Sequence, residues 1–233
     1  MGKGLGGGRH RRVGAMNPDL DPDRSLALAY VPAKLRPSIE ALWRLDVALG
    51  AVLATGRDPM ISRIRLAWWR ESLEKLDRQP APAEPVLQAV AEHLIPLGVS
   101  GEELARMEEG WAVLLSPEPL EAEELRAYAH GRGGLLFRLS ARLLGDERPF
   151  VTSAGERWAL VDLARHSGET DSRAAFEEAK ASGDRPIWPS PLRPLGMLAA
   201  LAQRDLERPR DEMEQQGSPS RMLRMLRHRL TGR

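Results

Sequence analysis

The chain has 233 residues, a length that fits one domain or two small ones and buries a sizeable core without disulfides. It contains no cysteine, which excludes disulfides, cysteine zinc sites, iron–sulfur clusters and thiol nucleophiles. Apolar residues make up 42% and charged residues 29%, the balance of a soluble globular protein. No apolar run is long enough to span a membrane, and the first residues lack the apolar stretch of a signal peptide. We therefore expect a cytoplasmic protein.

Charge is spread unevenly, although the formal net charge is only +1. Residues 1–15 carry four basic residues and no acid, and residues 221–233 carry five arginines and no acid. The body has no basic stripe, so we expect no nucleic-acid partner, whereas basic ends are typical of contact with anionic lipid or an acidic partner. Composition predicts a disordered basic tail over 1–17, with Met16 as an alternative start, and a folded domain over 18–233.

Helical periodicity, together with start and stop residues, predicts an all-α domain. No segment alternates as a strand does, and no internal repeat is present. The predicted helices cover residues 23–30, 37–54, 59–77, 85–94, 100–115, 121–144, 153–166, 194–207 and 219–231, with a short helix around 174–181. The predicted N-terminal signals are Asp23, Asp58 before Pro59, and two capping boxes, Ser100 with Glu103 and Ser153 with Glu156.

Generic catalytic and metal motifs are absent from the sequence. The five histidines lack metal-ligand spacing, and there is no phosphate-binding loop or serine nucleophile motif. Trp68 and Trp69 stand together before Arg70. We expect one tryptophan in the core, the other half-exposed, and Arg70 at the rim of the domain.

A helical pattern is interrupted by Gly131-Arg-Gly-Gly134. Each glycine in a helix lowers stability by up to about 1 kcal/mol relative to alanine. Three explanations are open: a helix break, close helix packing, or a ligand pressed against the backbone. Further along, the segment 219–231 places apolar residues on one face and arginines elsewhere, which is typical of a helix that binds lipid or a partner, or packs on its own domain. The apolar residues are Met222, Leu223, Leu226 and Leu230.

Four stretches together resemble the squalene/phytoene synthase family, from about residue 25 to residue 189. The first runs from Leu35 to Trp43 and resembles the family's arginine followed by an Ala-Leu-Tyr helix. The second, 64–73, contains Trp-Trp-Arg; the third, 128–145, begins Tyr-Ala-His-Gly; and the fourth, 155–170, resembles the helix with the second aspartate motif. Their order and spacing carry the resemblance, since no single stretch is specific.

The resemblance implies an isoprenoid synthase-like helical bundle that joins two prenyl diphosphates, using Mg²⁺ held by two aspartate-rich helices. The first motif falls on Gly50, Ala51 and Ala54, so all three of its carboxylates are missing. The second falls on residues 165–170, where arginine and Glu169 remain and both aspartates are replaced. Because Mg²⁺ needs carboxylate oxygens to neutralise the leaving pyrophosphate, we expect a non-catalytic protein. Its missing aspartates and Trp-Trp-Arg helix resemble the branch that contains a mitochondrial respiratory complex I assembly factor.

Three hypotheses remain open. The first is a non-catalytic binding or assembly protein at the inner membrane face, whose old cleft still holds an isoprenoid or other apolar ligand and whose partner is a membrane-associated complex. The second is a prenyl transferase with displaced Mg²⁺ ligands, with Asp46 and Glu169 facing across an open cavity. The third is a soluble partner-binding protein with a cleft filled by tryptophan. The candidate ligand-binding residues are Trp43, Asp46, Trp68, Trp69, Arg70, Tyr128, Gly131, Gly134, Arg165 and Glu169.

Overall fold

A computed structural model describes residues 19–56, 58–116, 119–181 and 186–233, which are helical and contain no strand, so the all-α prediction is confirmed. The tail predicted over 1–17 lies outside these ranges. No described helix combines the length and apolar character needed to cross a bilayer. The helices are α1 (Pro22–Ala29), α2 (Arg36–Thr55), α3 (Pro59–Lys75), α4 (Pro85–His93), α5 (Gly101–Ala112), α6 (Ala122–Tyr128), α7 (Leu135–Leu144), α8 (Phe150–His166), α9 (Glu169–Lys180), α10 (Arg193–Leu206) and α11 (Pro219–Thr231).

The structure tests the N-caps predicted at Asp58 and Asp23, and only the first is formed. Asp58 caps α3 as predicted, because its side chain accepts a hydrogen bond from the backbone N–H of Met60. The prediction for Asp23 is wrong, since α1 is capped by Asp21 and Asp23 lies in the first turn. The Asp23 carboxylate is instead buried and paired with Arg221 of α11 at 2.9 Å. A long-range ion pair therefore replaces the local cap.

The capping box at the start of α5 is half formed. The Ser100 hydroxyl accepts from the N–H of Glu103, as predicted. The Glu103 carboxylate does not return to the cap, because it binds Arg138 and Arg142 of α7. It therefore ties α5 to α7 instead of closing the helix end.

The second predicted capping box is wrong. Helix α8 begins at Phe150, so Ser153 lies inside its first turn and donates to the Phe150 carbonyl. Glu156 binds His130 at 2.8 Å. Helix α9 likewise begins earlier than the predicted short helix, at Glu169.

Helix α8 lies in the middle of the bundle and packs against α7, α9, α10 and the segment Ala129–Gly134. That segment is a single π-helical turn joining α6 to α7, so the glycine run widens the helix and does not break it. A Cβ on Gly133 would lie 2.1 Å from the carbonyl oxygen of Gly155 in α8. A Cβ on Gly131 would lie 2.8 Å from the Cα of Gly110 in α5. Close helix packing is thus the explanation that the structure supports for these glycines.

Candidate functional site

The carboxylate of Asp46, on α2, is buried in the middle of the bundle with no exposed surface. Oδ1 accepts from Arg132 Nε at 3.0 Å and from the indole N–H of Trp111 at 3.1 Å. Oδ2 accepts from Arg132 Nη2 at 3.1 Å and from Arg24 Nη1 at 3.0 Å. Four hydrogen bonds within the protein therefore occupy both oxygens.

Arg132 occupies the space between α2, α5 and α8. Its guanidinium lies 2.7 Å from Asp162 Oδ2 and also donates to the hydroxyl of Tyr128. It lies over the rings of Trp111 and Trp158, 4.2 Å and 4.9 Å from their centroids. One buried arginine thus joins two carboxylates and three aromatic rings. We call the set the Arg132 cluster; its members are Arg24, Asp46, Trp111, Tyr128, Arg132, Trp158 and Asp162.

The two arginines of the Arg132 cluster are paired with its two aspartates, and Arg24 also lies 3.0 Å from Asp21. Burial by itself would lower the pKa of Arg132, but the charge of Asp46, followed by Tyr128 and Asp162, raises that pKa well above its ordinary value. Burial would raise the pKa of Asp162, yet the charge of Arg132, followed by His166 and Arg24, holds it well below its usual range. The ion pairs therefore keep their charges at neutral pH.

Two described cavities border the Arg132 cluster, and the larger, of about 370 Å³, lies beside Arg24, Asp162 and His166. The cavity that borders Trp158, Asp162 and Arg165 has a volume of about 20 Å³, which is room for one water molecule. A prenyl chain does not fit there. The cleft is filled largely by an ion-paired arginine, with tryptophan rings against it.

Mg²⁺ does not fit the carboxylates that the sequence offered as weak ligands. Each carboxylate oxygen of Asp46 already accepts two hydrogen bonds from N–H donors. Glu169 lies on the surface at the start of α9, where it pairs with Arg173 and Arg210, and the charge-assisted bonds from Arg210 and then Arg173 lower its pKa. Asp46 and Glu169 do not face each other across a cavity. Among the described residues, no three carboxylates or histidines are grouped to hold a metal.

Five candidate ligand residues are packed into the structure. Trp43 is buried and its indole N–H donates to the Ser140 hydroxyl. Tyr128 is a member of the Arg132 cluster, Gly131 packs on Gly110, and a Cβ on Gly134 would lie 3.1 Å from Thr152 Cγ2. Arg165 donates to Asp205 at 2.6 Å and to the carbonyl of Glu214. Each has a structural partner within the chain.

The Trp-Trp-Arg segment of α3 is arranged as predicted. Trp69 is buried, while Trp68 is 45% exposed and meets Trp69 edge-on. Arg70 lies at the rim, with the carboxylates of Glu74 and Glu108 each 3.9 Å away. This prediction is confirmed, and the segment lies away from the Arg132 cluster.

Sequence reasoning did not select Arg24, Arg132, Asp162, Trp111 or Trp158. A signal was nevertheless present, because Asp162 is the lone charge in the apolar stretch 158–164 and Arg132 lies inside the glycine run. A single charge on an otherwise buried helix face is expected to have a buried partner. The sequence does not show which charge pairs with which.

These observations define a class of protein: an all-α bundle whose helices α2 and α8 are joined through Arg132 by buried ion pairs. The chain matches the family model for squalene/phytoene synthase over residues 18–176. It therefore belongs to the squalene/phytoene synthase family, and the resemblance inferred from the four sequence stretches is confirmed. No curated protein and no solved structure matched the chain.

Proposed function

We propose that this chain is a non-catalytic member of its family that acts by binding or in assembly. One observation carries the proposal: Arg132 lies between Asp46 and Asp162 in the middle of the bundle, bound to both. A reaction between two prenyl diphosphates needs a cavity for their chains and Mg²⁺ to neutralise the pyrophosphate. Here Arg132 and aromatic rings fill the space between Asp46 and Asp162, and both carboxylates are bound to arginines.

The filled interior also argues against an isoprenoid ligand in the old cleft. Removing Arg132 from between the two aspartates would take their shared counter-charge away and leave Arg24 to face both carboxylates, so opening the cleft is costly. For the interior, this arrangement favours the collapsed cleft of the third hypothesis. A family member with such an interior would bind its partner through its surface.

Exposed apolar side chains support a role in binding. Met60, Ile61 and Ile64 on α3 are each more than half exposed, and Trp68 follows one turn later on the same helix. Exposed apolar patches of this kind mark interaction sites. The sequence resemblance to the assembly-factor branch makes a membrane-associated protein complex the partner we propose.

Pyrophosphate release tests the proposal. We expect the purified chain, with Mg²⁺ and either farnesyl or geranylgeranyl diphosphate, to release no more pyrophosphate than its Glu169→Ala variant does. Glu169 is the matched control because it is the carboxylate that the second motif retains, and its exposed position makes the substitution structurally mild. A squalene synthase assayed in parallel shows that the conditions support turnover. Mg²⁺-dependent release that the Glu169→Ala variant lacks would show that the chain is a prenyl transferase.

A further inference from the structure

The outward face of α11 is apolar. Leu223 and Leu230 are 69% and 78% exposed, and Met222 and Leu226 are each more than a third exposed. Their spacing of three, four and seven residues places them on one side of the helix, while the opposite side packs against α10. This apolar stripe has no cover among the described residues.

A basic groove borders the stripe. It is a cavity of about 510 Å³ between α8, α10, α11 and residues 186–188. One part of its lining is apolar, with Ile187 and Trp188, and none of the described residues that line it is acidic. The remaining wall is basic and includes Arg157, Arg224, Arg227 and Arg233. We call this cavity the basic groove.

The outer arginines of the basic groove are free to bind an external anion. In the ranges that the structure describes, the guanidinium groups of Arg224, Arg227 and Arg233 have neither a carboxylate nor another hydrogen-bond partner. Arg221, one turn before Arg224, shows the contrast, since Asp205 and Asp23 bind it at 2.7 Å and 2.9 Å. The fold therefore uses Arg221 internally and leaves the later arginines without a counter-charge.

The buried histidine of the groove does not add to its charge. His228 is buried beside Trp188, and neither ring nitrogen has a geometrically acceptable hydrogen-bond partner. Burial, followed by the charge of Arg224, lowers the pKa of His228 to about 4. The imidazole is thus neutral at pH 7, and the arginines alone make the groove positive.

We propose that α11 and the basic groove together bind an anionic lipid bilayer, with Leu223 and Leu230 among the acyl chains and Arg224 and Arg227 on lipid phosphates. Arg227 follows Leu223 by four residues and precedes Leu230 by three, so it adjoins both leucines on the helix surface. A helix with an apolar face and flanking arginines fits the boundary between acyl chains and headgroups. The guanidinium fork matches phosphate oxygens.

The shape of the surface favours a bilayer over an acidic protein. Leu223 and Leu230 project from the exposed face of α11. They do not line a groove that would receive a partner helix. Ile187, which is 60% exposed on the far wall of the basic groove, adds apolar surface beside the arginines. This inference goes beyond the proposed function and holds whether or not the chain releases pyrophosphate.

Vesicle co-sedimentation of the full chain tests the inference. We expect binding to vesicles of phosphatidylcholine mixed with phosphatidylglycerol, weakened by added salt, and much weaker binding to phosphatidylcholine alone. The double variant Arg224→Gln/Arg227→Gln should bind anionic vesicles about 30-fold more weakly, at about 1 kcal/mol for each basic residue near the surface. The double variant Leu223→Ser/Leu230→Ser should also bind more weakly, by roughly tenfold or more.

Matched controls come from α3, which has its own exposed apolar and basic residues. Met60→Ser/Ile64→Ser and Arg63→Gln/Arg65→Gln should bind vesicles as the unaltered chain does. Circular dichroism should show all four variants folded, because the altered side chains are on the surface. The inference is overturned if the unaltered chain does not bind anionic vesicles, binds neutral vesicles equally well, or loses no affinity in either α11 variant.

Discussion

The substitution Arg132→Leu is expected to destabilise the fold by about 3–5 kcal/mol, because it takes the guanidinium away from buried Asp162 and leaves buried Asp46 to Arg24. It also removes the cation stacked on Trp111 and Trp158. Chemical denaturation of the full chain, followed by tryptophan fluorescence, measures the loss as a lower midpoint at an unchanged slope.

Arg142→Leu provides the control for Arg132→Leu. Arg142 also pairs with a carboxylate, Glu103 at 2.6 Å, but its side chain is partly exposed, so the loss should be about 1 kcal/mol or less. Arg132→Lys should lie between the two, because lysine keeps a positive charge but lacks the fork that reaches both carboxylates. Equal losses in Arg132→Leu and Arg142→Leu would show that the Arg132 cluster does not hold the interior together.

The second large effect is expected for Gly133→Ala, at about 1–3 kcal/mol or more. The added Cβ would lie 2.1 Å from the carbonyl oxygen of Gly155, a backbone atom that moves only if α8 moves away. Thermal unfolding measured by circular dichroism would show the loss as a lower Tm.

Gly168→Ala is the matched control for the glycine contact. No atom lies within 4 Å of a Cβ built on Gly168, and its φ of −63° is ordinary for alanine. We expect a loss of about 0.5–1 kcal/mol, smaller than for Gly133→Ala, because Gly168 caps α9 and alanine is less favoured than glycine at an N-cap. Equal Tm values for Gly133→Ala and the unaltered chain would mean that α8 and the π-helical turn are further apart than the structure shows.

The helices were largely predictable because their signals are local. Periodic leucines and the Asp58-Pro59 start predict α2 and α3, and both helices occur. The prediction failed where a distant partner competes for a capping side chain. Asp23 pairs with Arg221, which lies 198 positions further along the chain.

The sequence pointed to two members of the candidate site, Asp46 and Tyr128, and to the carboxylates that the site lacks. The sequence shows that Gly50, Ala51 and Ala54 replace the expected carboxylates, and from this follows the expectation of lost catalysis. The interior is filled because Arg132 binds Asp46, which lies 86 positions earlier in the chain. Only the packing of α2 against α7 and of α8 against the π-helical turn brings these residues together, so spacing along the chain does not predict the pair.

Hydrogen exchange of the tryptophan indole N–H groups, followed by NMR, tests the closed interior most directly. The indole of Trp111 donates to buried Asp46, whereas the ring of Trp68 is 45% exposed and serves as the internal control. We predict that the Trp111 indole exchanges only through large-scale unfolding, far more slowly than the Trp68 indole. Equally fast exchange at Trp111 and Trp68 would mean that water reaches the middle of the bundle, and the account of a sealed, non-catalytic interior would be wrong.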